Sequence, residues 1–240
     1  MPVDWYNGGM EHTTLHLLYS RFIYKFLWDI GAIPKELGPE PYKKRTSHGV
    51  ILGEGGIKMS KSKGNVINPD KVVEEYGADT LRVYEMFMGP FDQMIPWDTR
   101  GVRGVRRFLQ KVWQISKNFI SQDQNIKPNP ELKSLLHKTI KKVSEDIEAL
   151  KFNTAVAALM ILVNKIEKQE SIPRDIYSTF LILLSPFAPH LAEELWQRAG
   201  FEGFCCQQKW PKYDPDLVKE EKITLVIQIN GKVRDRIEIE

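Results

Sequence analysis

Three lysines fall within six positions of one run, Gly55-Gly56-Ile57-Lys58-Met59-Ser60-Lys61-Ser62-Lys63-Gly64-Asn65. Lysine is a compact charge with three donors on a flexible stem, suited to holding phosphate oxygens without a fixed geometry. Ser60 and Ser62 add hydroxyls. The flanking glycines let the backbone bend and approach a ligand closely. On residue types alone, the run is either a solvated basic loop or a mobile cationic loop for a polyphosphate. It is not a Walker-type cradle, because Gly56 is followed by Ile57-Lys58-Met59 and the spacing G-x-x-x-x-G-K-[ST] is absent.

A second group lies near the N-terminus. Val3-Asp4-Trp5-Tyr6 reads as a strand end, broken by Asn7-Gly8-Gly9. A helix is expected from about Glu11 to Ile30, with Leu15, Leu18, Phe22, Phe26 and Ile30 on one face. A strand, a Gly-Gly turn and a helix leave backbone donors free at the helix start, an arrangement that suits nucleotides. His12 and His16 are four apart and share a face. Glu11 precedes the first histidine, whereas the zincin order places it after, so a metal site is a weaker reading than a polar, exposed first turn. In a third group, Arg103, Arg107 and Lys111 recur every four residues along one side of a helix. They form either a solvated face or a phosphate-contacting stripe for RNA.

The elements that position these groups follow from periodicity. His48 to Leu52 is an apolar strand with a turn at Gly53 to Gly56. Asn68-Pro69-Asp70 has the chemistry of a helix start, with Asn68 as cap and Pro69 at the first helical position. That helix ends at Gly77, and another from about Ala78 carries Leu81, Tyr84 and Met88 along one side until Gly89-Pro90. No convincing strand then appears until Ile223. Between them the chain reads as amphipathic helices over 102–121, 131–150, 153–168 and from 174 to 185, with a last one after Pro189. The third is apolar nearly all round and belongs at the centre of a bundle. Ile223 to Glu240 reads as a hairpin of alternating β-branched runs around Asn230-Gly231. Two strands alone are marginal, so the sequence stops inside a further module.

At 240 residues, with 42% apolar and 27% charged residues, the chain has the composition of a soluble globular protein of one large or two smaller domains. A net charge of +3 confines any nucleic-acid surface to a local patch. Cys205 and Cys206 are adjacent, which suits a reducing compartment and supports no disulfide framework. No apolar run is long enough to span a membrane, and no targeting pattern opens the sequence. The expected location is the cytoplasm.

Lys58-Met59-Ser60-Lys61-Ser62 is letter for letter the KMSKS signature of class I aminoacyl-tRNA synthetases. Gly8-Gly9-Met10-Glu11-His12-Thr13-Thr14-Leu15-His16-Leu17-Leu18-Tyr19 resembles the G-G-x-E-H-x-x-x-H-L-L-Y segment of leucyl-tRNA synthetases. Pro186-Phe187-Ala188-Pro189-His190 with Glu193-Glu194-Leu195-Trp196 is similar to a segment of the leucyl, valyl and isoleucyl anticodon-binding bundles; its role is packing, and His190 carries no catalytic role. The resemblance runs through essentially all 240 residues but covers only the C-terminal part of the enzyme. H-x-G-H, the family's other signature, is absent, and so is the editing domain.

The resemblance implies an α/β plus all-α chain. Residues 1–52 would be the C-terminal part of a Rossmann-type catalytic domain, and 53–101 the KMSKS loop and stem-contact region. Residues 102–222 would be an anticodon-binding-type helix bundle, and 223–240 the start of a small C-terminal tRNA-binding domain. It implies an aminoacyl-tRNA ligase that converts ATP and leucine to leucyl-AMP and transfers leucine to tRNA(Leu). Lys58 and Lys61 would be catalytic, with Lys63 in third place. Gly8, Gly9, Glu11, His12, Lys58, Met59, Ser60, Lys61 and Ser62 would bind ATP, and Tyr6 and His16 would border the leucine side chain. Arg103, Arg107 and Lys111 would face tRNA. Mg²⁺ would be held mainly by ATP phosphates, with no protein metal site. The missing half of the active site implies an N-terminal portion or α subunit as partner, with this chain as the β subunit of a split enzyme or a cut fragment, and no activity alone. A non-catalytic tRNA-binding module and a valyl or isoleucyl specificity are the rival readings.

Overall fold

The computed structural model describes residues 2–119 and 129–219, and the backbone of two strands at 223–229 and 232–239. It divides into two compact units, the first comprising residues 1–110 and 146–157 and the second residues 111–145 and 158–240.

In unit one, β1 (Tyr6–Gly9) pairs in parallel with β2 (Arg45–His48), Tyr6 opposite Arg45 and Gly9 opposite His48. β3 (Ile51–Leu52) pairs in parallel with β4 (Ile95–Pro96). Parallel pairs need crossover connections, and α1 (His16–Asp29) supplies the one between β1 and β2. α2 (Pro69–Tyr76), α3 (Ala78–Phe87) and the first turns of α4 (Thr99–Ile115) complete the unit, together with the junction between α5 (Pro130–Glu148) and α6 (Phe152–Ile166).

Several expectations shift. The strand does not break at Gly8-Gly9, because both glycines stay extended and pair with β2. The helix begins at His16, not Glu11. Met10–Thr13 forms a separate 3-10 turn, and Leu15 breaks the path with φ −112 and ψ −103. The expected strand over 48–52 is two pieces, because Gly49 turns aside to donate to the Phe91 carbonyl (2.7 Å). The short β4 is unexpected, since a two-residue strand ending in proline carries no periodicity. The cap at Asn68 is as expected: its Oδ1 accepts from the Asp70 N–H at 2.9 Å, and Gly77 ends the helix at φ 91.

α1 buries Leu17 and Tyr24. The apolar face read from the spacing lies open: Leu18, Phe22, Phe26 and Ile30 are each more than half exposed, as are the neighbouring Tyr19 and Ile23.

Unit two is helical, with the rest of α4, α5 and α6, then α7 (Arg174–Leu184), α8 (Pro189–Arg198) and the short α9 (Pro215–Val218). Its core holds Val112 and Ile115, Leu132, Leu136, Ile140 and Val143, then Leu159, Leu162, Val163 and Ile166. α7 adds Ile176, Tyr177, Phe180, Leu181, Leu183 and Leu184. Trp113 is only half-buried and stacks under the Arg198 guanidinium at 4.6 Å. Trp196 is buried as an anchor, donating to the Glu202 carbonyl (3.3 Å) with its ring centroid 4.4 Å from that of Phe201. β5 (Ile223–Ile229) and β6 (Lys232–Ile239) pair antiparallel; the Asn230-Gly231 turn, the 120–121 end of the first bundle helix and the Lys127-Pro128 connection lie outside the described residues.

Candidate active site

The glycine turn and its carboxylate come first. Glu11 follows Gly9 in the 3-10 turn, and its carboxylate folds back over that backbone so closely that a Cβ at Gly9 would overlap it. A side chain at position 9 would push that carboxylate off the backbone. Arg45 ties the turn to β2 by donating from Nη2 to Thr13 Oγ1 at 2.8 Å. His12 faces inward, and its Nδ1 is buried with no hydrogen-bond partner among the described residues.

Tyr6 and His16 come together: their rings stack with centroids 5.5 Å apart and planes within 11°. A third ring, which the sequence reading passed over, closes the group. The Tyr42 centroid lies 4.9 Å from that of Tyr6, and its hydroxyl is 3.2 Å from His16 Nε2 and 2.9 Å from Ser20 Oγ. Tyr42 follows the 38–41 connection, and its parallel bridge with Val3 helps to bring it here. Glu40 fixes that segment to α1. Its carboxylate accepts two bonds from Arg21, at 2.8 and 2.7 Å, and pairs with Lys25 at 2.6 Å. The hydrogen bonds from Arg21 and then Lys25 hold its carboxyl down to about 2.

The lysine loop is built around Asn65. Its Oδ1 accepts from the Ser60 N–H at 2.9 Å and its Nδ2 donates to the Lys58 carbonyl at 3.2 Å, so one amide fastens both sides of Met59. Lys61–Lys63 then make one 3-10 turn that Gly64 ends in the left-handed region, at φ 64 and ψ 15. Ser60 and Ser62 place their hydroxyls 3.2 Å apart. Lys58, Lys61 and Lys63 are all exposed. At the base of the loop, Gly53 donates to the Ile57 carbonyl at 2.8 Å. Thr99 there accepts from Trp97 Nε1 (3.2 Å) and donates to Glu54 (3.1 Å). A cleft of about 420 Å³ lies against the loop's far root, lined by Gly64, Asn65, Asn68, Tyr76 and Trp97 among others. Asn65 belongs to the run singled out in the sequence, but only its place after a left-handed glycine hints that its amide turns back on the backbone.

The basic positions of α4 differ among themselves. Arg103 is exposed and donates to the Tyr76 hydroxyl at 3.4 Å. Arg107 is exposed, and no described residue pairs with it. Lys111 bonds Asn164 and pairs with Glu167, both at 2.9 Å. Among the described residues, no group of three or more His, Cys, Asp or Glu side chains converges that could hold a metal ion. Among them, too, no helix is long and apolar enough to cross a membrane.

Residues 31–98 match the family of class I tRNA synthetases (I, L, M and V), and residues 129–240 match the anticodon-binding domain of tRNA ligase. A leucine–tRNA ligase of Alkaliphilus oremlandii is 53% identical over 239 residues, spanning 100% of this chain and 29% of that protein. The solved ternary complex of Agrobacterium radiobacter LeuRS with tRNA and LeuAMS superposes with a TM-score of 0.81 at 36% identity, over 100% of this chain and 32% of that one. Methionyl-tRNA synthetase of Mycobacterium tuberculosis, solved with methionyl-adenylate, shares the fold at 19% identity, with a TM-score of 0.57 over 81% of this chain and 43% of its own. The chain thus spans under a third of the length of the leucine enzymes it matches. Similar throughout to a leucine–tRNA ligase, and carrying a class I tRNA synthetase segment followed by an anticodon-binding segment, the chain is a homologue of the leucyl-tRNA synthetases over that part of their length.

Proposed function

We propose that this chain supplies the KMSKS half of a leucine-activating site and the tRNA-binding bundle of a leucine–tRNA ligase. The observation that carries the reading is the lysine loop: three exposed ammonium groups on a backbone fastened by Asn65. In adenylate formation the leucine carboxylate attacks the ATP α-phosphorus and pyrophosphate leaves with its charge building up. Lys58 and Lys61 meet that charge, Lys63 assists, and Ser60 and Ser62 offer hydroxyl donors beside Met59. Losing one such preorganised donor costs about 10²–10³ in rate. A magnesium ion bound with the nucleotide would add further charge neutralisation.

Gly8, Gly9 and His12 cradle the adenosine, and Glu11 accepts from the ribose hydroxyls. Tyr6 and His16 form a flat aromatic wall that suits an aliphatic side chain. Arg103, Arg107 and Lys111 face tRNA(Leu), with Arg107 the position most open to phosphate. The segments 1–52, 53–101, 102–222 and 223–240 take the catalytic, loop and stem-contact, bundle and C-terminal roles.

None of the five histidines lies in an H-x-G-H pattern. The open apolar face of α1 is what a partner surface would cover. We infer that an N-terminal portion or α subunit must supply both before leucine is activated, and that the loop moves until ATP holds it. The test is leucine-dependent ATP–pyrophosphate exchange. The chain alone should be inert; adding the H-x-G-H portion should restore exchange, and Lys61→Ala should then abolish it while tRNA(Leu) binding survives. Exchange by the purified chain alone, or stimulation by valine or isoleucine in place of leucine, would overturn the assignment.

A further inference from the structure

We propose that Tyr42 and Ser20 are positioning residues that set both the orientation and the protonated nitrogen of His16, and that this device tunes leucine binding. The inference rests on the reading of Tyr6 and His16 as the amino-acid wall. It is carried by the direction of a short hydrogen-bond chain.

A backbone carbonyl only accepts, and Leu17 O stands at one end, 3.3 Å from Ser20 Oγ. Ser20 spends its single proton there, so its oxygen is free to accept. Tyr42 lies 2.9 Å away and donates its own proton to that oxygen. With that proton committed, the Tyr42 oxygen can only accept from its other neighbour, His16 Nε2, at 3.2 Å. His16 therefore carries its proton on Nε2 and leaves Nδ1 bare. The opposite sense, with Tyr42 donating to His16, would turn the Ser20 hydroxyl away from the Leu17 carbonyl and forfeit one bond. The other ring nitrogen of a histidine is commonly fixed in this way, by the bond its partner makes.

The chain also fixes the plane of the ring. Tyr42 holds the imidazole by its edge while Tyr6 covers one face, 11° from parallel. The Arg21–Glu40–Lys25 cluster ties the residues just before Tyr42 to the helix that carries Ser20 and His16. The other side of His16 is exposed, as a wall awaiting a ligand must be.

Two variants test this. Tyr42→Phe keeps the ring and removes only the hydroxyl, and Ser20→Ala removes the relay oxygen. In ¹⁵N-labelled chain above the histidine titration range, two-bond ¹H–¹⁵N spectra should show His16 protonated on Nε2. Both variants should move those imidazole signals while leaving the urea midpoint near that of the parent. A proton found on Nδ1 in the parent, or signals indifferent to Tyr42→Phe, would overturn the relay. With the N-terminal portion supplied, Tyr42→Phe should raise KM for leucine about 3- to 10-fold, the scale of one neutral hydrogen bond. KM for ATP and kcat should stay within about twofold. If the spectra respond but KM for leucine does not, the relay stands and the leucine-wall assignment falls. A joint rise in KM for leucine and ATP would mark general disruption and reject the positioning role.

Discussion

Asn65→Ala leaves every lysine of the loop in place and removes only the amide that closes it. Two bonds are lost, one of 2.9 Å from the Ser60 N–H and one of 3.2 Å to the Lys58 carbonyl. Each is worth about 0.5–1.5 kcal/mol net, and the exposure of the loop places both in the lower half of that range. Together they hold the closed loop by about 1–2 kcal/mol, which at ~1.4 kcal/mol per decade is about a 5- to 30-fold fall in adenylate formation. Lys61→Ala, by comparison, deletes a charge that meets the transition state and should cost about 10²–10³. The assay is leucine-dependent pyrophosphate exchange with the N-terminal portion present, at several ATP concentrations. The loss in Asn65→Ala should shrink as ATP rises, because bound phosphates take over the holding of the loop. An Asn65→Ala enzyme within twofold of the parent, or one as impaired as Lys61→Ala, would show that the loop is not organised by this amide.

Three further outcomes are expected. Cys205 is buried and its thiol is pushed up to about 12, chiefly by burial and next by the nearby Glu193 carboxylate, whereas Cys206 is exposed; iodoacetamide should therefore label Cys206 alone until urea unfolds unit two, as read by peptide mass mapping. The folded carboxyl of Glu40 is depressed to about 2 from an ordinary ~4.3, so its contribution is complete above that ordinary value and vanishes as the pH falls through about 2. Being half exposed, the cluster is worth under about 1 kcal/mol after solvent screening, and the urea midpoints of parent and Glu40→Gln should differ slightly at pH 6 and converge by pH 2. Phe180→Ala empties a fully buried site in α7 and should destabilise unit two by about 3–5 kcal/mol in urea denaturation, with intact α-helical circular dichroism at zero urea.

The helices of the bundle were legible because their apolar residues recur at helical spacing and are in fact buried: Leu132, Leu136, Ile140 and Val143 needed nothing but periodicity. The capped start at Asn68 was legible because its chemistry is local. α1 was misread for an instructive reason. Its apolar stripe is real, but periodicity reports that a face seeks cover, not that the same chain provides it. Its true start at His16 depends on the backbone of Leu15, which no residue type announces. The lysines and the glycine pair could be picked out by type and spacing, whereas Tyr6 and His16 became candidates for the amino-acid wall only through the family resemblance. Tyr42, Asn65 and the Trp97–Thr99–Glu54 chain could not, because each earns its role through a contact set by the fold. The β4 segment escaped notice because two residues cannot display a period of two.

The open face of α1 has a thermodynamic consequence. In the proposed assembly, where an N-terminal portion covers these six large apolar side chains, the stability of unit one becomes a matter of mass action. Whatever covers them raises the melting temperature in proportion to the logarithm of its concentration. A melting temperature measured on the chain alone is therefore a lower bound, and it should climb as the covering surface is titrated in, well before any catalysis is assayed.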